Sequence, residues 1–225
     1  MTLDFAAVLS RWPMFLEGSL LTIKLATSAT LIGFVIGAVC AIARRSKLAW
    51  AQRASTVYVE IIRNTPLLVQ IFLVYFGLAS LGLKLPAITV AMAALTINVG
   101  AYATEIMRAG FDSIHKGQLE AAECLALTRR QVYWHVVLLP AMERVYPALT
   151  SQFVLLMLAS SVCSQISAEE LTAVANFVQS DTYRPFETYI LVAAAYIVLS
   201  LVMRAGFFAI GLVLFPRRRR LGTAL

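Results

Sequence analysis

Five stretches of this chain are each apolar enough, and long enough, to cross a hydrocarbon layer. They lie at about 19–43, 54–83, 87–109, 145–166 and 189–215. A helix rising 1.5 Å per residue needs roughly 20 such residues for a core about 30 Å thick. Of the 225 residues, 60% are hydrophobic and 14% charged, against roughly 25% charged in a soluble domain. That excludes a soluble enzyme built on one core. The fold class expected is an all-α integral membrane protein of five transmembrane helices. Before the first run stand Asp4, Glu17 and only Arg11, unlike the basic start of a cleaved signal, so that run reads as a retained span. Cys40, Cys124 and Cys163 are isolated and have no metal-ligand spacing, which points to apolar filler rather than disulfides or zinc.

The net charge of +7 follows the topology. Five spans put the termini on opposite faces. Arg44, Arg45, Lys47 and Arg53 fall in the first connection, Lys116, Arg129, Arg130 and Arg144 in the third, and Arg217 to Arg220 at the tail. The other face holds Arg11, Lys84 and Arg184 against Asp4, Glu17, Glu169, Glu170, Asp181 and Glu187. The basic face is expected to be cytoplasmic, with the amino terminus outside and the carboxyl terminus inside. Orientation accounts for the surplus charge, so a nucleic-acid partner is not expected.

The connection at about 110–144 is too long for a tight turn and too polar to be embedded. Within it, Gly117 through Leu127 reads as a short helix, with Gly117 as the break before it. Ala121 and Ala122 permit close approach by another backbone, and Glu120 offers charge towards the amino-terminal end. Composition leaves two readings open: a helix seated in a partner's groove, or an amphipathic helix lying on lipid headgroups.

Glu120-Ala121-Ala122, followed by Leu139-Pro140, resembles the EAA loop of the membrane subunits of binding-protein-dependent ABC importers. The polar amino acid branch is the nearer likeness. Glu60-Ile61-Ile62-Arg63-Asn64-Thr65-Pro66-Leu67-Leu68-Val69-Gln70, Ala101 through Gly110 and Ile166-Ser167-Ala168-Glu169-Glu170-Leu171 are similar to its signatures and stand in the same order. The resemblance implies a bacterial inner-membrane permease subunit for a polar amino acid or a related small solute, with a cytoplasmic coupling helix between the third and fourth spans. It implies a second permease subunit, identical or not, and an extracytoplasmic solute-binding protein. It also implies two separate ATP-binding subunits docking around Gly117, Glu120, Ala121, Ala122, Ala126 and Leu127. Their closure would switch the pathway through the third and fourth spans. The chain departs from the pattern in three places. Ala126 stands where a Gly is usual, which disfavours a left-handed turn; Leu139 stands where the loop proline is usual; and Leu158-Ala159 replaces a Lys-Asp pair, removing that basis for assigning substrate charge.

No phosphate-binding G-x-x-x-x-G-K-[ST] is present; the stretch from Gly110 to Lys116 carries His115 at the second Gly position. ATP and Mg are therefore expected on the partner ATPase, with no cofactor on this chain and no enzymatic activity of its own. A pathway needs polar groups at membrane depth, which face a cavity or another helix. Asn98, Tyr102 and Glu105 share a face at i, i+4 and i+7. Ser161 and Gln165 are four apart, as are Ser160 and Ser164, with Gln152 two turns earlier. These are the substrate-path candidates, and interhelical hydrogen bonding is the competing reading for the serines. Glu60 and Arg63 are spaced to pair, and Pro66 is expected to kink or break the second helix. Gly33 and Gly37 form a G-x-x-x-G. The alternative function is a passive channel or secondary carrier for a small polar solute.

Overall fold

The computed structural model describes residues 3–215. The described residues are helical, with no strand among them. The elements are α1 (Ala6–Leu9), α2 (Trp12–Arg45), α3 (Ala49–Arg63), α4 (Leu67–Ser80), α5 (Ala87–Asp112), α6 (Lys116–Cys124), α7 (Arg129–Gln131), α8 (Leu139–Ala159), α9 (Leu171–Thr182) and α10 (Pro185–Leu214). A π-helical stretch, Val132–Leu138, joins α7 to α8, and a 3-10 stretch, Ser160–Ile166, continues α8. Four helical segments, Trp12–Arg45, Ala87–Asp112, Arg129–Ile166 and Pro185–Leu214, are long and apolar enough to cross a membrane. A fifth candidate is the pair α3 and α4, bent by 109° at its break. The basic tail from Arg217 to Arg220 lies outside the described residues.

The most extensive helix pairing is between α2 and α5, and glycines make it possible. A Cβ on Gly33 would sit 2.3 Å from Val99 Cγ1 and 3.0 Å from the Thr96 carbonyl oxygen; one on Gly37 would sit 2.6 Å from Ala103 Cβ. The G-x-x-x-G is thus where two backbones touch. Contacts advance together along both helices, from Gly33 against Gly100 to Arg45 against Asp112, so α2 and α5 run parallel. The intervening α3 and α4 therefore return the chain to the end where α2 began. The fourth rod, Arg129–Ile166, is antiparallel to α5: Gly110, near the end of α5, meets Val145 and Ala141 near the start of α8, while Val90 and Leu95 near the beginning of α5 share a core with Leu156 and Ile166. In turn α10 is antiparallel to α8, where Tyr146 stacks edge-on with Phe215 and Phe153 with Phe207.

One expected break is present, and two helix boundaries lie outside the apolar runs read from the sequence. The second apolar run breaks at Pro66 into two helices, because Pro66 has no N–H to donate and is itself extended, at ψ 140°. The fourth helical rod begins at Arg129 rather than near 145. Thr128 caps it in a reciprocal box with Gln131, and widening to π-helix just before Pro140 accommodates the proline ring without stopping the rod. The connection after Ile166 contains a further helix, α9, started by the buried Glu170 side chain accepting from the Ala173 N–H at 3.0 Å. The main core lies among α2, α4, α5 and the end of the fourth rod, around Leu25, Ile71, Leu95, Val99, Leu156 and Cys163. A second cluster, around Phe15, Leu171, Val178 and Val192, fixes α9 at the end of the bundle where α2 begins.

Candidate functional site

The Pro66 break exposes backbone groups that a continuous helix would pair, and one side chain gathers them. Gln70, one turn into α4, donates from Nε2 to the Ile62 carbonyl at 2.7 Å, the Thr65 carbonyl at 3.0 Å and Thr65 Oγ1 at 2.9 Å. Its Oε1 accepts from Asn98 Nδ2 at 2.9 Å. Both amides are buried. The bend is therefore clamped to α5 through Asn98, and Gln70 is a partner that periodicity did not single out, although it ends the quoted signature of the second span.

Asn98, Tyr102 and Glu105 do share one face, turned towards α3 and α4. The Arg63 guanidinium lies over the Tyr102 ring, 5.5 Å from its centroid, and 3.9 Å from Glu105 Oε2. Arg63 therefore does not make the expected pair with Glu60, whose carboxylate accepts from Asn64 at 3.0 Å. Glu105 also accepts from Arg44 of α2 and from Arg108 Nη2 at 2.8 Å. Arg45 and Arg108 both reach Asp112, each at 2.7 Å. Four guanidiniums thus meet two carboxylates where the ends of α2, α3 and α5 converge. Glu105 is fully occupied by cations from three helices.

On the fourth rod the spacing argument changes because the helix does. With three residues per turn in the 3-10 stretch, positions four apart no longer share a face. Ser160 is buried and donates to Met157 O at 2.7 Å, Ser161 to Leu158 O at 2.8 Å, and Ser164 to Ser161 O at 2.8 Å. The serines bond back to their own helix rather than across to another. Gln165 is exposed and Gln152 half-buried. Asn98 and Ser160 are buried, whereas Gln165 is exposed.

The short helix after α5 is α6. His115 is its N-cap, so Gly117 falls inside the first turn rather than before it, and Glu120 stands in the second turn. Ala122 is buried, Leu119 and Leu127 are half-buried, and Glu120 and Ala121 are open; α6 packs against the π-helical stretch. The helix closes with the Leu127 N–H on the Ala122 carbonyl at 3.1 Å and the Ala126 N–H on the Glu123 carbonyl at 2.9 Å, a Schellman motif. Ala126 adopts the left-handed conformation, φ +52°. The turn does not stay helical there, and the alanine takes the conformation its Cβ disfavours.

Glu170 is a second residue that spacing did not mark. Its carboxylate is fully buried and accepts from the Tyr196 hydroxyl at 2.8 Å, while Thr22 of α2 accepts from the Leu171 N–H at 3.1 Å. Burial holds the carboxyl above the ordinary carboxylate range, against the lowering pull of the Thr172 and Ala173 N–H groups and the Tyr196 hydroxyl. A buried acid beside a helix start is visible in sequence only as Glu-Glu-Leu. No group of three or more His, Cys, Asp or Glu side chains is placed to hold a metal among the described residues.

The family model described as binding-protein-dependent transport system inner membrane component matches residues 33–220. The chain belongs to this family. It is a multi-pass membrane permease component, and the passive-channel alternative falls away. Among its relatives, a probable glutamine ABC transporter permease protein, GlnM of Bacillus subtilis, is 35% identical over 204 residues, covering 91% of this chain and 94% of the relative. The octopine transport system permease protein OccM of Rhizobium meliloti is 32% identical, over 93% and 90%. A crystal structure of an amino acid ABC transporter with histidines is 38% identical and superposes with a TM-score of 0.87, covering 97% of this chain and all of that one. The MetNI methionine transporter, at 18% identity and a TM-score of 0.73, shares the fold.

Proposed function

We propose that this permease forms one half of the pathway of an importer for a polar amino acid or a related small polar solute. The other half is a second copy or a related permease. An extracytoplasmic binding protein delivers the solute, and two separate ATP-binding subunits, carrying ATP and Mg, supply the energy. The chain crosses the membrane five times, with the bent α3–α4 pair as one crossing. The parallel course of α2 and α5 supports this count. The end bearing Arg44, Arg45 and α6 faces the cytoplasm, with the amino terminus opposite.

The observation that carries the coupling role is the presentation of α6. It is anchored through Ala122 and Leu119, while Glu120 and Ala121 remain open at the end of the bundle where α5 terminates. A helix held by one side and free on the other suits insertion into a partner's groove. Arg144, which donates to the Ser113 carbonyl between α5 and α6, ties that loop to the fourth rod, so movement of α6 reaches α8. The Asn98–Gln70 pair lies at the break in the second crossing, where an amide can bind a zwitterionic head without fixing side-chain charge. Tyr102, Gln152, Ser161 and Gln165 complete the candidate lining once a second permease faces this one, whereas Ser160, fully buried and bonded to Met157 O, lies behind it. Glu105, saturated by arginines, acts as an ionic tie at the inner mouth rather than as a solute ligand.

Co-expression of the tagged chain with its candidate ATP-binding subunit tests the reading. A stable complex that hydrolyses ATP is expected, and Glu120→Lys should abolish the complex and its hydrolysis while leaving the permease folded. A wild-type chain that captures no ATPase, or a Glu120→Lys variant that assembles and hydrolyses normally, overturns it.

A further inference from the structure

Glu60 and Arg63 carry opposite charges one turn apart at the end of α3, a spacing that puts Cβ atoms roughly 5–6 Å from each other. They do not pair. Arg63 is drawn over the Tyr102 ring on α5, 5.5 Å from its centroid, while Glu60 accepts from Asn64 Nδ2 through Oε2, at 3.0 Å. Arg63 lies 3.9 Å from Glu105 Oε2, beyond hydrogen-bond reach, because Arg44 and Arg108 already hold the two oxygens of that carboxylate. Among the described residues Glu60 Oε1 accepts no hydrogen bond, Arg63 donates none, and the Tyr102 hydroxyl is unbonded. The surroundings are short of acceptors: Arg44, Arg45, Arg63 and Arg108 share Glu105 and Asp112, and the buried Arg44 Nε has no partner. Arg45 and Arg108 are bonded to Asp112. Arg63 alone of the four has all its donors to spare, and its side chain is 42% exposed.

Glu105, beside Arg63, is about 10 Å further along α5 than Asn98. The unpaired charges therefore lie between the Asn98–Gln70 clamp and the end of the bundle that bears α6. We propose that Glu60 and Arg63 form an inner binding site for the head group of a free α-amino acid, the last station before release. Arg63 takes the carboxylate on a fork of two N–H groups, the Tyr102 hydroxyl donates to it as well, and Glu60 accepts from the ammonium. An α-amino acid carries both charges on one carbon, so a single small molecule satisfies both side chains, whereas a lone anion or cation satisfies one. Tyr102 keeps the site open, because the stacked guanidinium is held away from the carboxylate its spacing would otherwise give it. Only the head group is read here, so the site selects the class of solute and not its side chain. The assignment rests on the importer reading and adds to it the groups that hold the solute's charges.

The test uses the permease–ATPase complex purified in detergent, with each proteinogenic amino acid added in turn and binding read as a rise in Tm and as an affinity. At least one is expected to bind. Its carboxamide and its N-acetyl derivative, each lacking one charge, should bind about tenfold more weakly, the factor supplied by a hydrogen bond to a charged group. Arg63→Gln should bind the acid and the carboxamide equally, and Glu60→Gln the free amine and the N-acetyl form equally. Arg53→Gln, about 15 Å back along α3, should keep both preferences. Arg63→Lys retains the charge without the fork and should keep only part of the preference for the acid. It carries the test if Arg63→Gln does not assemble, since an undiminished preference there counts against the site. Binding of no amino acid by the wild type, or a preference indifferent to Arg63, overturns the proposal. So does loss of a subunit from Arg63→Gln with the preference unchanged, which would make the residue a subunit contact. An assembled complex that hydrolyses ATP while failing these tests leaves the importer reading standing, whereas a chain that captures no ATPase removes both.

Discussion

Ala126 and Glu170 each carry an unfavourable conformation or environment that the fold retains. Ala126 is the clearer. A left-handed alanine costs roughly 1–2 kcal/mol over the right-handed form, and it closes the α6 Schellman motif with two good hydrogen bonds. Ala126→Gly is therefore expected to stabilise the loop by about 1 kcal/mol, read as hydrogen exchange at Ala126 and Leu127 slowed about fivefold. Unchanged exchange would mean that the strain is relieved elsewhere. The departure from the family glycine was legible in sequence; that the turn stays left-handed in spite of it was not, because hydrogen bonds of the loop outweigh the local preference. Glu170 is the other case. Its raised carboxyl binds a proton more tightly in the folded state than in the unfolded one. Its favourable contribution is therefore complete below the ordinary carboxylate range and is lost as pH rises through the folded value. Glu170→Gln, uncharged throughout, is expected to flatten the fall in Tm between acid and neutral pH in detergent. An unaltered slope would assign the pH dependence to another group.

The elements are decided by where backbones can touch and where they cannot pair. Gly33 and Gly37 let α2 lie on α5, and adding a methyl at either demands that backbone move. Gly33→Ala and Gly37→Ala are each expected to destabilise by about 1–3 kcal/mol. Gly77→Ala in α4, whose Cβ would meet nothing within 4 Å, is expected to stabilise by up to about 1 kcal/mol through helix propensity. Thermal unfolding of the three variants in one detergent checks the contrast, and similar losses for all three would remove the packing explanation. The apolar runs gave the existence of the long helices directly, and Pro66 announced a break. The size of the break was not readable, because it depends on Gln70 finding Asn98 28 positions away in the chain. Nor was the early start of the fourth rod, because the helix absorbs Pro140 by widening.

At the scale of the molecule, helix direction sorts the charges. The arginines at the ends of α2, α3 and α5 gather at one end with Asp112 and Glu105. At the other, Arg11 pairs with Asp181 at 2.5 Å and Arg184 lies 3.6 Å from Glu187. With Cys40, Cys124 and Cys163 replaced, an impermeant maleimide is expected to label Tyr183→Cys in intact cells and Leu125→Cys only after permeabilisation. Both positions are highly exposed, and the reverse pattern would invert the orientation. By itself the sequence determined that this is a membrane-embedded helical chain with a short polar helix between its third and fourth apolar runs. Hydrophobic length and local helix signals are properties of contiguous residues. Only the tertiary structure decided that α2 and α5 run parallel, that Glu105 is claimed by arginines and that Gln70 clamps the break. Those outcomes depend on groups distant in the chain arriving within hydrogen-bond reach, which periodicity along one helix does not encode.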